Sequence, residues 1–399
     1  MSFIAENVTF DKEKAALTAP VVRMLLKGGK NTSCVVFGVS TELLNAKSLP
    51  ETVYVPAADD QGTAVAEKIA EYKKNNGKLP VGVHVQGLGV YAHGAGKAEA
   101  DEVMKSFIAV AGGKKTELSS VKTSKGRLAE KIAIVTGAAQ GFGAGISDCM
   151  LDEGSNMVIA DLNYDLAKHN AMEKCEKYGA GKAEACKVDV GNEESVRDMV
   201  YDTVLEYGGL DIMVCNAGIA KAGSLEEMTQ STLELVTKVN YTAFFLCSKY
   251  ASRIMKIQHK YAPDYYADII QVNSKSGLVG SNKNFAYAGS KFGGVGLVQS
   301  FALELVEHNI KVNCVCPGNF FDGPLWSDPV KGLFIQYLNA GKVPGAKNVA
   351  DVKKYYESKI PMSRGCVPSD VAKAIFYCVE QKYETGQAIP VTGGQVMLK

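Results

Sequence analysis

The chain has 399 residues, of which 46% are hydrophobic and 22% are charged, and its formal net charge is +1. This composition is that of a folded α/β protein and excludes a disordered or fibrous chain. The nearly balanced charge disfavours nucleic acid or an anionic membrane surface as the main partner. The sequence contains neither an apolar run long enough to span a membrane nor the apolar core of a signal peptide, so we expect a cytoplasmic protein. Its ten cysteines form no CxxC pair and are expected to be reduced thiols.

Residues 1–112 are predicted to form a small α/β domain. Strand-like and helix-like stretches alternate in it, with strands at 33–38 and 52–56, helices at 62–76 and 97–111, and a glycine-punctuated β region at 79–94. Its histidines, His84 and His93, are too few for a metal site without a third ligand, so no metal is predicted. Residues 113–127 are polar and without apolar period, which is typical of a linker.

Residues 128–399 alternate between strand and helix patterns, which predicts a parallel sheet with helices on both faces. The predicted strands are 131–137, 156–162, 185–190, 211–217, 268–274, 311–316 and 388–392. The fold class is therefore α/β: a doubly wound, seven-stranded Rossmann-type sheet with a smaller N-terminal α/β domain. In such a sheet ligands bind at the carboxyl ends of the strands.

The first of these strands runs into a glycine-rich turn that opens a helix. Glycines let the backbone approach a pyrophosphate, and the helix N-terminus offers free N–H groups. The predicted cofactor-binding residues here are Gly137, Gln140, Gly141, Phe142 and Gly143.

Further candidates for cofactor binding end the next three strands. Asp161 can accept hydrogen bonds from both ribose hydroxyls and repel a 2′-phosphate, which favours NAD over NADP; the alternative is a simple strand-end turn former. Asp189 and Val190 are placed at the adenine. Asn216, Ala217 and Gly218 supply a polar group and small residues under the cofactor.

Tyr287 and Lys291 are four residues apart and share one face of a predicted helix. A neighbouring ammonium favours the phenolate and is expected to lower the pKa of the tyrosine toward the working range. The alternative is an ordinary pair on a solvated helix face.

Over about 270 residues the chain resembles the short-chain dehydrogenase/reductase family. The residues that carry the resemblance are the 136–143 loop, Asn216, Ala217, Gly218, Asn240, Ser274, Tyr287, Lys291, Pro317 and Gly318. The resemblance implies hydride transfer between NAD(H) and a secondary alcohol or ketone. Pro317 and Gly318 are then further cofactor-binding residues.

The catalytic roles in this family imply Asn240, Ser274, Tyr287 and Lys291 as catalytic residues. Tyr287 would exchange the substrate's hydroxyl proton, Ser274 would hydrogen-bond the oxyanion, with Ser276 as the alternative, and Lys291 would also hold the nicotinamide ribose. Asn240 would anchor a water molecule that relays protons from Lys291.

The sequence departs from the family pattern at two positions. Cys215 stands where a second asparagine often precedes Asn216, with little expected effect. Asp322 replaces the threonine that commonly meets the carboxamide, so backbone groups of Asn319 or Phe320 are expected to substitute.

The substrate is predicted from four segments, 273–277, 291–297, 361–366 and 385–397, which resemble family members that act on polyol phosphates. The implied reaction is oxidation of sorbitol 6-phosphate to fructose 6-phosphate. Ser274, Lys275 and Asn319 are the predicted substrate-binding residues. Lys275, Lys283, Lys331 and Arg364 are candidates for the phosphate, and Lys275 is the best placed.

Residues 319–352 form a long aromatic insert, predicted to be a mobile lid over the substrate. Its aromatic side chains could instead line an apolar pocket for an acyl or steroid substrate. Competing hypotheses are a dehydrogenase of lactaldehyde or of a non-phosphorylated sugar alcohol, an NAD(H)-sensing regulator without turnover, and a structural scaffold without a cofactor.

The run 87–94, with Glu99 and Ala100, resembles the tail of the class II aldolase fold. In that family a zinc-binding histidine would fall where Leu88 stands, so the resemblance implies an inactive remnant with a structural role. The dehydrogenase part of aldolase–dehydrogenase fusions is also similar. Within the dehydrogenase family, Gly293, Gly294 and Gly296 imply close helix pairing in a homodimer or homotetramer.

Overall fold

Two β-sheets, one in each predicted domain, organise the fold. The computed structural model describes residues 3–27, 32–116, 124–339 and 341–397. Most of the predicted linker, residues 117–123, lies outside the described residues.

The N-terminal sheet has five strands in the order β1-β2-β5-β4-β3. The strands are β1 (Phe3–Ile4), β2 (Cys34–Val39), β3 (Thr52–Val55), β4 (Gly82–Val85) and β5 (Gly89–Gly94), and the helices are α1 (Lys12–Lys27), α2 (Thr41–Leu44), α3 (Gln61–Asn76) and α4 (Lys97–Ala111). The sheet is mixed, because β5 runs antiparallel to both β2 and β4. Helix α1 was not predicted from the sequence.

Local signals fix the helices and turns of this half. The Asp60 side chain accepts a hydrogen bond from the Thr63 amide at 3.0 Å and caps α3, and Gly77, with φ of 70°, ends that helix. Gly87, also with φ of 70°, makes the turn between β4 and β5. Leu88 is buried beside that turn. The aldolase resemblance stays a prediction; among the described residues no three His, Cys, Asp or Glu side chains are grouped to hold a metal ion.

The second sheet has seven strands, all parallel, in the order β12-β11-β10-β9-β6-β7-β8. The strands are β6 (Ile132–Thr136), β7 (Asn156–Asp161), β8 (Ala183–Lys187), β9 (Ile212–Cys215), β10 (Ala267–Val272), β11 (Ile310–Pro317) and β12 (Ala388–Val391). The predicted doubly wound sheet is confirmed. The strand order reverses between β6 and β9, and a cofactor crevice is expected at their carboxyl ends.

Helices cover both faces of this sheet. They are α5 (Gly141–Asp152), α6 (Tyr164–Tyr178), α7 (Glu193–Tyr207), α8 (Gln230–Thr237), α9 (Ala243–Tyr261), α10 (Phe285–Leu305), α11 (Pro324–Ser327), α12 (Leu333–Asn339), α13 (Val349–Ser358) and α14 (Pro368–Glu380). Within the described parts of the chain, none of them combines the length and apolar character needed to cross a membrane.

The third predicted strand, 185–190, was placed too far along the chain. It is β8, Ala183–Lys187, so Asp189 and Val190 lie beyond its end. The Asp189 carboxylate accepts a hydrogen bond from the Gly191 amide at 2.9 Å and turns the chain toward α7. Apolar residues at 188 and 190 extended the strand pattern into this turn.

The aromatic insert has a core of its own. Rings of Phe321, Trp326, Phe334, Tyr337 and Tyr356 pack around one another, with 5.0 Å between the centres of Trp326 and Phe334. Helices α11, α12 and α13 surround this cluster. The insert therefore has a defined, packed structure, and it follows the carboxyl end of β11. Its predicted mobility stays a prediction.

A buried ion pair joins the two sheets. The Arg23 guanidinium on α1 binds both carboxylate oxygens of Asp211, at 2.8 and 2.7 Å, and donates to the Ser33 carbonyl at 2.8 Å. Burial alone would raise the pKa of Asp211, but the charges of Arg23 and Lys131 outweigh it and hold that pKa well below its usual range. A guanidinium can donate two parallel hydrogen bonds, one to each oxygen of a carboxylate.

Apolar contacts continue this junction. Val35 on β2 lies so close to Gly208 that a Cβ at residue 208 would be 2.6 Å from the Val35 Cβ. The same apolar core includes Ala15 and Val22 of α1 and Val204 and Ile254 of α7 and α9. The two sheets therefore share a core, and the division at 113–127 into separate domains stays a prediction.

We expect Arg23→Met to lower the free energy of unfolding by about 3 to 5 kcal/mol, because it leaves the Asp211 carboxylate buried without its guanidinium. Urea unfolding followed by circular dichroism measures the loss. The matched control is Lys12→Met, which removes an exposed pair, Lys12 with Asp202 at 2.6 Å, across the same junction. That variant should lose at most about 1 kcal/mol. Equal losses in both variants would contradict a special role for the buried pair.

Candidate active site

The glycine-rich loop after β6 is braced by the end of β9. The Asn216 side-chain amide donates to the carbonyls of Thr136 and Gly137, at 2.8 and 3.1 Å. The Thr136 hydroxyl accepts from the amides of Asn216 and Ala217, both at 3.1 Å. The sequence analysis included Thr136 in the loop that carries the family resemblance but gave it no role of its own. These bonds fix the loop relative to the neighbouring strand end.

The glycines of the loop are needed for its shape. Gly137 and Gly141 both have φ of 63°, a conformation that favours glycine. A side chain on Gly143 would collide with the Gly137 carbonyl and the Asn216 amide. Gln140 precedes α5 without a side-chain cap, so the first amides of that helix are open to an anion. Phe142 packs on Phe320 with ring centres 4.8 Å apart.

Asp161 lies at the end of β7 and turns its carboxylate toward the loop. One oxygen accepts from the Ala139 amide at 3.0 Å and the other from the Asn163 amide at 2.9 Å. The turn-forming role is therefore present, and each oxygen keeps a second lone pair for a ribose hydroxyl. Asp189 is exposed beyond β8, while Val190 is buried and lines a small cavity with Lys291.

Lys291 on α10 is buried with 3% of its surface exposed, and its ammonium donates to the Val272 carbonyl at 3.0 Å. Burial lowers its pKa from 10.5 to about 8. The ammonium lies 5.6 Å from the centre of the Tyr287 ring one turn earlier. The structure therefore places the buried Lys291 next to a half-buried Tyr287, which excludes the alternative of a solvated surface pair.

The pKa of Tyr287 is raised, because burial outweighs a hydrogen bond with the Ser274 side chain that lowers it. The prediction that Lys291 lowers the pKa of Tyr287 is wrong for the protein without a cofactor. The Lys291 ammonium is turned to the Val272 carbonyl, and burial disfavours both charged forms.

Ser274, rather than Ser276, meets the Tyr287 hydroxyl. Its hydroxyl also accepts from the Ser276 amide at 3.1 Å, and its amide donates to the Asn273 side chain at 2.8 Å. Asn273 in turn donates to the Lys291 carbonyl at 2.9 Å. Asn273 thus ties the end of β10 to α10, a positioning role that was not predicted and that its place next to Ser274 could have indicated.

Asn240 lies in a π-helical turn, Lys238–Thr242, between α8 and α9. Its side chain exchanges hydrogen bonds with both backbone groups of Ile219 at 2.9 Å and donates to the Ser290 hydroxyl at 3.1 Å. Beside it is a cavity of about 10 Å³, lined also by Thr136, Gln271 and Lys291. That is near the smallest space that holds one water molecule. The predicted water-anchoring role stays a prediction.

The residues after β11 fit a nicotinamide. The Gly318 amide bonds the Val391 carbonyl at 2.9 Å and fixes this turn. The side-chain amide nitrogen of Asn319 is buried and has no hydrogen-bond partner among the described residues. A buried donor without an acceptor suits a carboxamide oxygen. The Asp322 carboxylate, at the position of the usual threonine, pairs with Lys353 at 2.9 Å.

The candidate cations differ in availability. Arg364 binds Asp370 through both terminal nitrogens, at 2.6 and 3.0 Å, so this phosphate candidate is already paired. Lys331 is exposed, whereas Lys275 is half-buried directly after Ser274. Lys342 in the aromatic insert is half-buried as well, and sequence reasoning missed it because it lies far along the chain.

A glycine-rich loop at the switch point of a parallel sheet, with Ser274, Tyr287 and Lys291 at the same edge, defines a dinucleotide-dependent oxidoreductase. Comparison with known proteins agrees: a family model described as short chain dehydrogenase matches residues 131–325. Sorbitol-6-phosphate 2-dehydrogenase of Escherichia coli (strain K12) is 36% identical over 270 residues, 67% of this chain and 99% of that protein.

A solved structure of sorbitol-6-phosphate 2-dehydrogenase SrlD from Erwinia amylovora is similar, with a TM-score of 0.61 and 36% identity over 67% of this chain and 100% of that chain. The 3-oxoacyl-[acyl-carrier-protein] reductase FabG of Chlamydia muridarum is 29% identical over 67% of this chain and 98% of that protein. The chain belongs to the short-chain dehydrogenase/reductase family and is an oxidoreductase that uses a nicotinamide cofactor and a small-molecule substrate.

We expect Lys291→Met to abolish turnover and to increase stability near neutral pH. The pKa of Lys291 is about 8 in the folded protein and 10.5 ordinarily, so the unfolded chain holds this proton more tightly. The free energy of unfolding of the unmodified protein should therefore rise with pH between those two values, by up to about 3 kcal/mol, and the variant should lack that rise.

Urea unfolding from about pH 7 to about pH 10 measures this difference. Lys331→Met, which removes an exposed lysine, is the control and should follow the unmodified protein. Parallel curves for Lys291→Met and the unmodified protein would contradict a buried ammonium that loses its proton in this range.

Proposed function

We propose that this protein is an NAD-dependent polyol-phosphate dehydrogenase that converts sorbitol 6-phosphate to fructose 6-phosphate. The single observation that carries the proposal is the Tyr287 phenol, whose pKa the Ser274 side chain lowers, one helical turn from the buried Lys291. The substrate is supported by 36% identity to two proteins named for it and by the half-buried Lys275 beside Ser274.

Each side chain has a role in the proposed oxidation. Tyr287 accepts the proton of the C2 hydroxyl, and Ser274 donates a hydrogen bond to the same oxygen as it becomes a carbonyl. A bound nicotinamide would supply the acceptor for the hydride from C2. Lys291 would hold the nicotinamide ribose, and Asn240 lies near it to connect the site to a water molecule.

Burial has a consequence for this proton transfer. Because the protein's own groups raise the pKa of Tyr287, the phenol is protonated at neutral pH in the cofactor-free protein. A positive charge in the site is what favours the phenolate. Oxidation is therefore expected to be faster at alkaline pH, where Tyr287 loses its proton more readily.

Asp161 supports NAD as the cofactor. Its carboxylate lies beside the loop that would hold the pyrophosphate, where a 2′-phosphate would be repelled. Assembly into a homodimer or homotetramer is supported by exposed apolar side chains on α9 and α10, Phe245 and Phe292 among them. A cytoplasmic location stays a prediction from the sequence.

NADH formation across a panel of sugar alcohols and their phosphates tests the proposal. We expect turnover of sorbitol 6-phosphate and a decrease in kcat of about 100- to 10,000-fold in Tyr287→Phe, with NAD affinity retained, because only the proton acceptor is lost. Tyr377→Phe, at an exposed position on α14, is the control.

Turnover of neutral polyols or lactaldehyde alone would overturn the choice of substrate. Unchanged activity in Tyr287→Phe would overturn the assignment of the proton acceptor. NAD binding with no turnover of any compound would favour the NAD(H)-sensing alternative.

Cofactor choice is tested at Asp161. We expect Asp161→Asn to raise kcat/KM for NADP relative to NAD on the order of tenfold, because the repelling charge is removed. The control is Asp165→Asn, which removes an exposed carboxylate in the first turn of α6. An unmodified protein that already prefers NADP would contradict the assignment.

A further inference from the structure

Gln271 is a polar side chain in the middle of the buried parallel sheet. It lies on β10 beside Cys215 of β9 and Cys314 of β11, and only 2% of its surface is exposed. Central strands of parallel sheets are usually apolar along their length, and a buried amide is costly unless it forms hydrogen bonds. None of the proposed catalytic steps uses Gln271, so the reason for its amide lies in the groups around it.

Helix α10 packs directly against this amide. A Cβ at residue 294 would lie 2.6 Å from both the oxygen and the nitrogen of the Gln271 side chain, so Gly294 leaves room for the amide beside the helix. Gly294 follows Lys291 by three residues. Gln271 and Lys291 also line the same small cavity. The amide therefore lies beside the part of α10 that carries the buried lysine.

The Gln271 amide is bonded to the side chain of Asn273, on the same strand end. The Gln271 oxygen accepts a hydrogen bond from the Asn273 side-chain nitrogen at 2.7 Å. The same nitrogen donates to the Lys291 carbonyl at 2.9 Å. The Asn273 side-chain oxygen accepts from the Ser274 amide at 2.8 Å. The Asn273 side chain thus has partners at both ends, and Gln271 is one of three.

The bond to Gln271 fixes the plane of the Asn273 amide. The terminal torsion of an asparagine is soft, so an amide with one donor bond can still rotate about that bond. The nitrogen carries two hydrogens, and acceptors on Gln271 and Lys291 for both of them define the amide plane. The Asn273 oxygen then points in one direction, toward the Ser274 amide.

We propose that Gln271 is a positioning residue for the reaction and acts through Asn273. By holding the Asn273 amide, it sets the place of the strand end that carries Ser274 relative to the helix that carries Lys291. A misplacement of about 1 Å at a reacting group can lower a rate about 100-fold. The inference rests on the roles proposed for Ser274 and Lys291 in turnover.

Gln271→Met tests this role, because methionine is similar in length and lacks a strong acceptor. With whichever compound the unmodified protein oxidises, we expect kcat to fall about 10- to 100-fold and KM to change less than about threefold. The control is Gln258→Met, which removes a buried glutamine bonded to both backbone groups of Leu210, at 2.8 and 3.0 Å. Leu210 lies before the amino end of β9, so this variant should lose stability and keep its kcat.

A double variant separates action through Asn273 from a direct effect of Gln271. Asn273→Ala removes the bonded amide itself. Adding Gln271→Met to it should therefore lower kcat by at most about a further twofold. Losses that multiply in the double variant would contradict action through Asn273.

Amide hydrogen exchange gives a readout that needs no turnover. The Ser274 amide should be protected in the unmodified protein and exchange faster in Gln271→Met, whereas Gln258→Met should speed exchange of the Leu210 amide instead. A freely exchanging Ser274 amide in the unmodified protein, unchanged exchange at Ser274 in Gln271→Met, or an unchanged kcat in that variant would overturn the inference. If the unmodified protein oxidises no compound of the panel, the proposed function fails, and exchange at Ser274 still decides the positioning role.

Discussion

The buried ammonium of Lys291 is the constraint on which the active site depends. It lies 3.0 Å from the Val272 carbonyl at the end of β10 and has almost no contact with water. A charge in that position is costly unless groups on neighbouring elements are fixed around it. Asn273 supplies that order, because its side chain joins the Ser274 amide to the Lys291 carbonyl and so ties β10 to α10. The geometry of Ser274, Tyr287 and Lys291 is thus a property of the strand and helix together.

The nucleotide end is built by the same principle. Side chains at the ends of β6, β7 and β9 form hydrogen bonds with backbone groups at this edge of the sheet. Asp161 bonds the Ala139 amide of the glycine-rich loop, the Thr136 hydroxyl bonds the Asn216 amide, and the Asn216 side chain bonds the Thr136 carbonyl. The open amides of α5 are therefore presented to a ligand in one conformation. The expected cofactor crevice, where the strand order reverses, thus has the glycine-rich loop on one side and the Tyr287 phenol on the other.

The N-terminal sheet stabilises the opposite side of the molecule. Arg23 reaches the start of β9 through Asp211, which also accepts from the Ile132 amide of β6 at 2.9 Å. These are the amino ends of the two strands whose carboxyl ends carry the cofactor loop. Its site of attachment, at the amino ends of the central strands, supports a structural role for the N-terminal sheet.

The sequence by itself determined the alternation of strands and helices, the glycine loop and the Tyr287–Lys291 pair, because each depends on spacing along the chain. The roles of Asn240 and Ser274 were implied by the resemblance to the family. In the seven-stranded sheet, periodicity located six strands closely. It failed at β8 because the alternation of apolar and polar residues continues into the turn at Asp189. Tyr287 and Lys291 were found because four residues make one helical turn.

Only the tertiary structure decided the rest, since it depends on which distant residues meet. It showed that burial raises the pKa of Tyr287, that Arg364 is taken by Asp370, and that Asn273 holds the site together. Burial, charge interactions and long-range hydrogen bonds depend on which residues are close in the folded protein. Those neighbours lie far apart along the chain, so local sequence patterns do not show them.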